Sequence, residues 1–469
     1  MRKDAGHRPG WGELFQAHLL ARLALVCFGV WLHAADGLLV ATMIPAIVAD
    51  IGGAEFIAWT IALYEVGSIV AGATAALLAF RHGLRNAMGG AVLIYAAGCV
   101  ISALAPTMPL MLIGRLLQGL GGGGMVALAF IAQSRLFPRR MMPRVMAALS
   151  AVWGVSAFIG PLVGGLFVEL SFWRGGFWFF AAQALLLAVW IASGLRDPAA
   201  TETSMSHPRI PYWRLTSLSL GVVAIAAAGI DVSPVRSPLL VAAGVALLAL
   251  FLRLDGQRQI DRLLPSRPFD PHHGAGAALM MILCFASATV PISVYGPVLM
   301  TILLDVSALT AGYVIALSSI GWSVMAVVVS GAAERHDRAL IFSGMCILAL
   351  SVVGFMITVP RGPLAIIALF ALLEGAGFGM AWTFVLRRGI ALAADEERDR
   401  FASALPTVQR LGYAIGAAIA GIVANAAGFG ETMGVVPARS AGFWIFAASL
   451  PIAGIGLAAA WSFVRAPIR

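Results

Sequence analysis

The chain is 469 residues long, 60% of it is apolar, only 11% is charged, and its formal net charge is +9. Soluble domains carry about 25% charged residues and disordered chains carry more, so both classes are excluded and a polytopic membrane protein remains. Thirty of the thirty-one basic residues are Arg, the exception being Lys3. A Walker-type ATPase or a Schiff-base protein needs a Lys in its core, so any transport must draw on a gradient or a partner. The positive charge reads as loop charge on the cytoplasmic side rather than as a nucleic-acid surface. Unbroken apolar runs such as 239–252 exclude the alternating strands of a membrane β-barrel.

Fourteen apolar segments are expected as spanning helices: 22–49, 57–80, 87–106, 109–134, 145–170, 175–195, 214–231, 237–254, 274–303, 309–332, 339–359, 363–388, 402–427 and 440–464. With the N-terminus in the cytoplasm, 25 Arg and Lys residues fall on cytoplasmic ends and loops and four on the other side, Arg174, Arg236, Arg361 and Arg439. One missed span would invert every later loop, so this asymmetry supports the count and places both termini in the cytoplasm. The tail 1–21 has no small-residue cleavage site after a short apolar core and is read as leading into an uncleaved span.

The first span holds Asp36 near its middle and Pro45 further on. A carboxylate at bilayer depth costs about 2.5–3.5 kcal/mol on insertion scales and usually faces a water-filled cavity. The second span holds Glu65, about 12 Å deep at a rise of about 1.5 Å per residue. Two carboxylates on one cavity suit reversible protonation or a cationic ligand. The following loop, AFRHGLR, carries Arg81, Gly83 and Arg85, and AERHDRA, 254 residues later, carries Glu334 and Arg335. This short repeat fits two six-helix halves with two helices between them. The fourth span contains Arg115, which stays charged and needs a partner such as Asp36 or Glu65. Gln118 lies on nearly the same face. The fifth span, WGVSAFIGPLVGG, presents Gly154, Gly160, Gly164 and Gly165 for close helix approach, with Pro161 bending it. Glu374 in the twelfth segment is the third intramembrane acid. Arg410 in the thirteenth is read as snorkelling toward the cytoplasmic end.

Other polar features carry less. Cys27, Cys99, Cys284 and Cys346 sit in apolar runs as small core residues, and His272–His273 is a bare pair at a membrane edge, so no metal site is expected. Trp31, Trp59, Tyr64, Trp153, Tyr295, Trp322 and Trp382 serve a cavity wall, the core or an interfacial belt. HExxH, GxSxG and GxGxxG signatures are absent, and neither an enzyme activity nor a cofactor is expected.

Four stretches resemble the major facilitator superfamily, most closely its fourteen-helix drug:proton antiporters. DGLLVATMIPAI resembles the first-helix motif, GRLLQGLGGGG the fourth-helix Arg…Gln-Gly motif and GPLVGG the fifth-helix antiporter motif. SALTAGY and RLGYAIGAAIAG resemble second-half segments. The resemblance implies alternating access driven by protons, with Asp36 in the central cavity and Arg115 linked to coupling. Gly160, Pro161, Gly164 and Gly165 would form the interface that changes in switching. One departure stands out: Phe80 occupies the place of an acid that normally helps hold the cytoplasmic gate. Glu334 and Asp337 are the residues expected to carry that latch instead.

The reading is an all-α polytopic membrane protein of the major facilitator fold, two six-helix bundles plus two extra central helices, with 14 spans. Its parts are a tail 1–21, a bundle 22–195, a linker with two helices 196–273, a bundle 274–464 and a tail 465–469. The expected activity is proton-coupled export of hydrophobic or cationic drug-like compounds across a bacterial inner membrane by a monomer. The expected partners are a small-molecule substrate, protons and membrane lipids, with sodium left open as the ion and no nucleic acid. Export of one endogenous metabolite, lipid or siderophore stays open, as does a non-transporting sensor or scaffold.

Overall fold

The computed structural model describes residues 17–138, 141–194, 210–258 and 261–467. Arg2, Lys3, Arg8, Arg139, Arg140, Arg196, Arg209 and Arg469 of the loop-charge count lie outside the described residues, as does most of the N-terminal tail. The described chain is helical, with no strand.

The helices are α1 (Ala17–Ile51), α2 (Trp59–Leu104), α3 (Met108–Leu136), α4 (Met142–Glu169), α5 (Arg174–Gly194), α6 (Tyr212–Ala227) and α7 (Arg236–Gly256). They continue with α8 (Gly274–Leu304), α9 (Ala308–Val329), α10 (Asp337–Thr358), α11 (Leu364–Leu392), α12 (Arg398–Ala426) and α13 (Val435–Arg465). Among the described residues twelve helices are long and apolar enough to cross a membrane. Large apolar side chains such as Leu186, Val189, Leu239, Val327 and Val328 point outward, as a lipid-facing surface requires and a soluble one avoids.

α2 absorbs two of the expected segments. Its 46 residues would span about 69 Å if straight, more than twice the hydrocarbon core of about 30 Å. It bends at Gly83, whose φ of 79° and ψ of 160° are open in practice only to glycine. The limb before the bend packs on α3 through Gly67, Gly119 and Gly123, and the limb after it through Gly98, Gly114 and Gly121. α6 is a 16-residue helix, about 24 Å long and short of a full crossing.

Two groups of helices form. α1 to α5 pack with one another and α8 to α13 with one another. The pairing α1 with α4 recurs as α8 with α12, and the first limb of α2 with α3 recurs as α9 with α11. Between the groups, α4 meets α9, α2 meets α12, and α1 meets both α8 and α9. α6 and α7 form a hairpin whose α6 rests on α12 and α2. Near the Arg-rich end of this hairpin Arg214, 6% exposed, donates to Asp255 at 2.8 Å and to Asp261 at 2.7 Å. Asp255 also accepts the backbone N–H groups of Leu263 and Leu264, which pins the chain leading to α8.

Candidate functional site: a buried charge relay across the two helix groups

α1 turns one face to the interior, and Leu32, His33, Asp36, Leu39 and Val40 are buried on it. Asp36 is fully buried and Arg115 of α3 is 1% exposed. Arg115 Nη1 donates to Asp36 Oδ2 at 2.5 Å and lies 2.6 Å from Gln118 Oε1, while Nε donates to the Thr60 carbonyl at 3.2 Å. The second carboxylate oxygen faces the Tyr95 hydroxyl at 3.0 Å, which also lies 3.1 Å from the Leu32 carbonyl and gives its one proton to either. Gln118 Nε2 donates to Cys99 Sγ at 3.2 Å. Such satisfaction on all sides is what a charge at this depth requires. The sequence expectation left Asp36 and Glu65 open as partners for Arg115, and the structure selects Asp36.

Glu65 points elsewhere. Its Oε2 accepts from Arg410 Nη1 of α12 at 3.1 Å, with the two side chains 13% and 20% exposed. Arg410 therefore crosses between the helix groups instead of snorkelling to a membrane edge. Its second nitrogen, Nη2, lies 2.9 Å from His33 Nε2. His33 Nδ1 lies 2.7 Å from the Tyr64 hydroxyl, and the Tyr64 ring carries the Arg115 guanidinium 4.4 Å from its centroid. The result is one continuous chain: Asp36, Arg115, Tyr64, His33, Arg410, Glu65. Sequence reasoning missed His33 and Tyr95 and gave Tyr64 no specific role. The available signal was the spacing of His33 three residues before Asp36, which sets both on one helix face.

Glu374 lies in the second group, 6% exposed, with Oε2 lacking a hydrogen-bond partner among the described residues. The glycines of α4 divide between two neighbours. A Cβ at Gly160 or Gly164 would press on Ala35 or Leu39 of α1, and one at Gly165 would lie 2.6 Å from Leu309 of α9. Pro161 faces Gly312 of α9, where a Cβ would lie 2.3 Å from Thr42 Oγ1. Gly421 of α12 approaches Ala58, and Asn425 donates to the Glu55 carbonyl at 2.9 Å and the Gly229 carbonyl at 2.8 Å. These approaches between the groups cluster at the end away from the Arg-rich loops.

At the Arg-rich end, Arg81 and Arg85 are exposed, and Arg85 reaches the Ala192 carbonyl of α5. Glu334 and Arg335 are exposed, while Asp337 pairs with Arg387 of α11. The Asp337 contact is a clasp within one helix group, not the latch between groups that the sequence predicted. Phe80, where an acid was expected, lines a cavity of about 190 Å³ with Leu77, Pro211, Arg214 and Asp261. His273 Nδ1 bonds Asp270 at 2.9 Å and its Nε2 meets Arg267 at 2.7 Å. The His272 backbone N–H and the His273 ring hold the Asp270 carboxyl below the usual carboxylate range. These bonds make the His pair part of a turn, and the described residues contain no cluster of three metal-ligating side chains.

Residues 26–388 match the profile of the Major Facilitator Superfamily. A probable multidrug-efflux transporter of Mycobacterium tuberculosis is 30% identical over 446 residues, covering 92% of this chain and 93% of that protein. Among solved structures, a POT family transporter in complex with a thioalcohol-conjugated peptide aligns with a TM-score of 0.65 at 14% identity, over 92% of this chain and 94% of that one. The xylose transporter XylE from E. coli, in a partially occluded inward-open conformation, aligns with a TM-score of 0.58 at 14% identity over 96% and 100%.

Proposed function

Because the chain belongs to the Major Facilitator Superfamily, a family of transporters rather than enzymes, we propose that it is a proton-coupled antiporter. It exports hydrophobic or cationic small molecules by alternating access. The observation that carries this reading is the buried relay from Asp36 to Glu65, which joins α1, α2 and α3 to α12 through one guanidinium. Buried charges of this kind are costly and mark ion or substrate pathways. The 30% identity to a probable multidrug-efflux transporter supports a drug-like substrate.

In this reading α1–α5 and α8–α13 are the halves that rock, the chain crosses the bacterial inner membrane fourteen times as a monomer, and both termini are cytoplasmic. The tight contacts at Gly165, Gly312 and Gly421 describe the state closed at the outer end. Gly160 and Gly164 fix α4 to α1 so that Pro161 and Gly165 are carried against α9. The partly exposed Glu65–Arg410 pair exchanges its partner with substrate or proton. The buried Asp36–Arg115 pair holds the charge balance behind it, and Gln118 positions Arg115. Glu374 supplies a further carboxyl from the opposite half.

The test uses purified protein in liposomes with a trapped pH dye and a panel of lipophilic cations. Cation-dependent proton flux in the wild type, abolished in Glu65→Gln and Asp36→Asn, is the expected result. No flux with any cation in protein shown to be folded overturns the reading.

A further inference from the structure

His33 is 5% exposed and held on every side. Its ring stacks on Tyr64 of α2 with centroids 5.4 Å apart and meets the Trp153 edge of α4 at 5.9 Å. A Cβ at Gly122 of α3 would lie 2.8 Å from Nδ1, so the ring packs where α3 presents bare backbone. The hydrogen bonds then fix its protonation. Arg410 has donors and no acceptor, so Nε2, 2.9 Å from Arg410 Nη2, is the acceptor. The ring proton therefore sits on Nδ1 and is donated to the Tyr64 hydroxyl at 2.7 Å, which turns its own proton to the His33 carbonyl at 3.3 Å. This contact exists only for the neutral imidazole.

The charged neighbours add a second argument. Around His33 stand Glu65 and Tyr64 from α2, Arg115 from α3, Arg410 from α12 and Asp36 one turn along α1, while α4 presents only the Trp153 ring. The two carboxylates and two guanidiniums cancel, so with neutral His33 the relay has no net charge. A proton on His33 is then the uncompensated charge, placed directly against a guanidinium in a low-dielectric interior.

Resting on the antiport reading above, we propose that His33 is the proton-operated tie between the two helix groups, a positioning residue that acts through Arg410. When neutral, it accepts the Arg410 N–H and holds α12 against α1. A proton from water adds to the Nε2 lone pair, the N–H···N hydrogen bond is lost, and two cationic N–H groups face each other. Arg410 then keeps only Glu65 as its partner in the first group, so the α12–α1 tie is released and the groups are held at this level by that one ion pair. Once the tie is released and water reaches the ring, an ordinary imidazole titrates between roughly pH 5 and 8, so acid favours the released state.

The test reads conformation without substrate or gradient. Spin labels are placed at His82→Cys and Arg335→Cys, on the loops of the two groups at the Arg-rich end, in full-length protein with its native cysteines replaced. Electron–electron distances are recorded in nanodiscs at roughly pH 8 and roughly pH 5. The wild type is expected to redistribute between two distances, by up to about tenfold per pH unit if one proton distinguishes the states. His33→Gln keeps an acceptor for Arg410 and takes no proton, so its distribution stays that of the higher pH throughout. His33→Asn and Arg410→Gln lose the tie and hold the low-pH distribution at both values, so the proposal stands on them if His33→Gln fails to fold. A pH-insensitive wild type, or a His33→Gln variant that redistributes like the wild type, overturns the proposal. A tie seen by distance with no proton flux in liposomes refutes export alone. Flux and distances unaltered in His33→Gln refute the tie alone.

Discussion

Asp36→Asn isolates the energetics of the deepest ion pair. Arg115 and Asp36 are 1% and 0% exposed and meet at 2.5 Å. At that separation an effective dielectric of about 20 gives an attraction of about 6–7 kcal/mol, which is set against a desolvation cost of several kcal/mol for each ion. The pair as a unit is therefore near balance, whereas a lone guanidinium is not. Gln118 and the Thr60 carbonyl still accept from Arg115 in the variant, yet neither neutralises it. Asp36→Asn is expected to lose about 3–5 kcal/mol, as is Arg115→Met, which orphans the carboxylate. The double variant removes both charges and should cost less than either single change, with a coupling energy above about 2 kcal/mol. Reversible unfolding in mixed detergent micelles, followed by tryptophan fluorescence, measures all four corners of the cycle. Single losses that add to within about 0.5 kcal/mol would refute the argument.

Gly83→Ala forces a side chain into a backbone region reserved for glycine and should lower stability by about 1–3 kcal/mol in the same unfolding assay, whereas His82→Ala beside it should be silent. Gly312→Val drives a side chain against Thr42 and Pro161. It should raise maleimide labelling of Leu309→Cys severalfold, read site by site by mass spectrometry, because the seam at that end can no longer close. Arg388, 3% exposed, donates to the Phe463 carbonyl at 3.3 Å and the Val464 carbonyl at 3.1 Å. Those groups are among the carbonyls a helix end leaves unpaired, so Arg388→Leu should destabilise the protein by about 1–3 kcal/mol. Liposome flux per folded molecule should stay unchanged.

Helix positions were readable because each span is a long apolar run, and the expected segments fall on helix, two of them on the single bent α2. The charge pair was readable in part, since an Arg at bilayer depth needs an acid and few acids share that depth. His33 was not, because a single His in an apolar run looks the same whether it fills the core or bridges two helix groups. Arg410 misled for a related reason. Depth along one helix says nothing about which neighbour lies across the interior, and Glu65 is 345 residues away in sequence. The bend in α2 was masked by RHGLR, whose charges read as a loop, although Gly83 alone absorbs the turn while helix continues on both sides. Asp337 is taken up by Arg387, a guanidinium of its own group that lies 50 residues away and that the loop sequence alone could not reveal.

The α6–α7 hairpin makes the two seams of the molecule unequal. α6 rests on both α2 and α12, and Gly229 just beyond it is hydrogen-bonded by Asn425 and abuts Gly421 and Ile422. One line of contact between the helix groups is thus roofed. The other, where α4 meets α9, keeps Trp153, Val155, Phe158 and Leu162 open to the surroundings. On the export reading proposed above, a greasy solute dissolved in the acyl chains would meet the bare α4–α9 seam and be kept from the roofed one. That route is bounded by a pair of helices that meet the charged relay through the Trp153 ring.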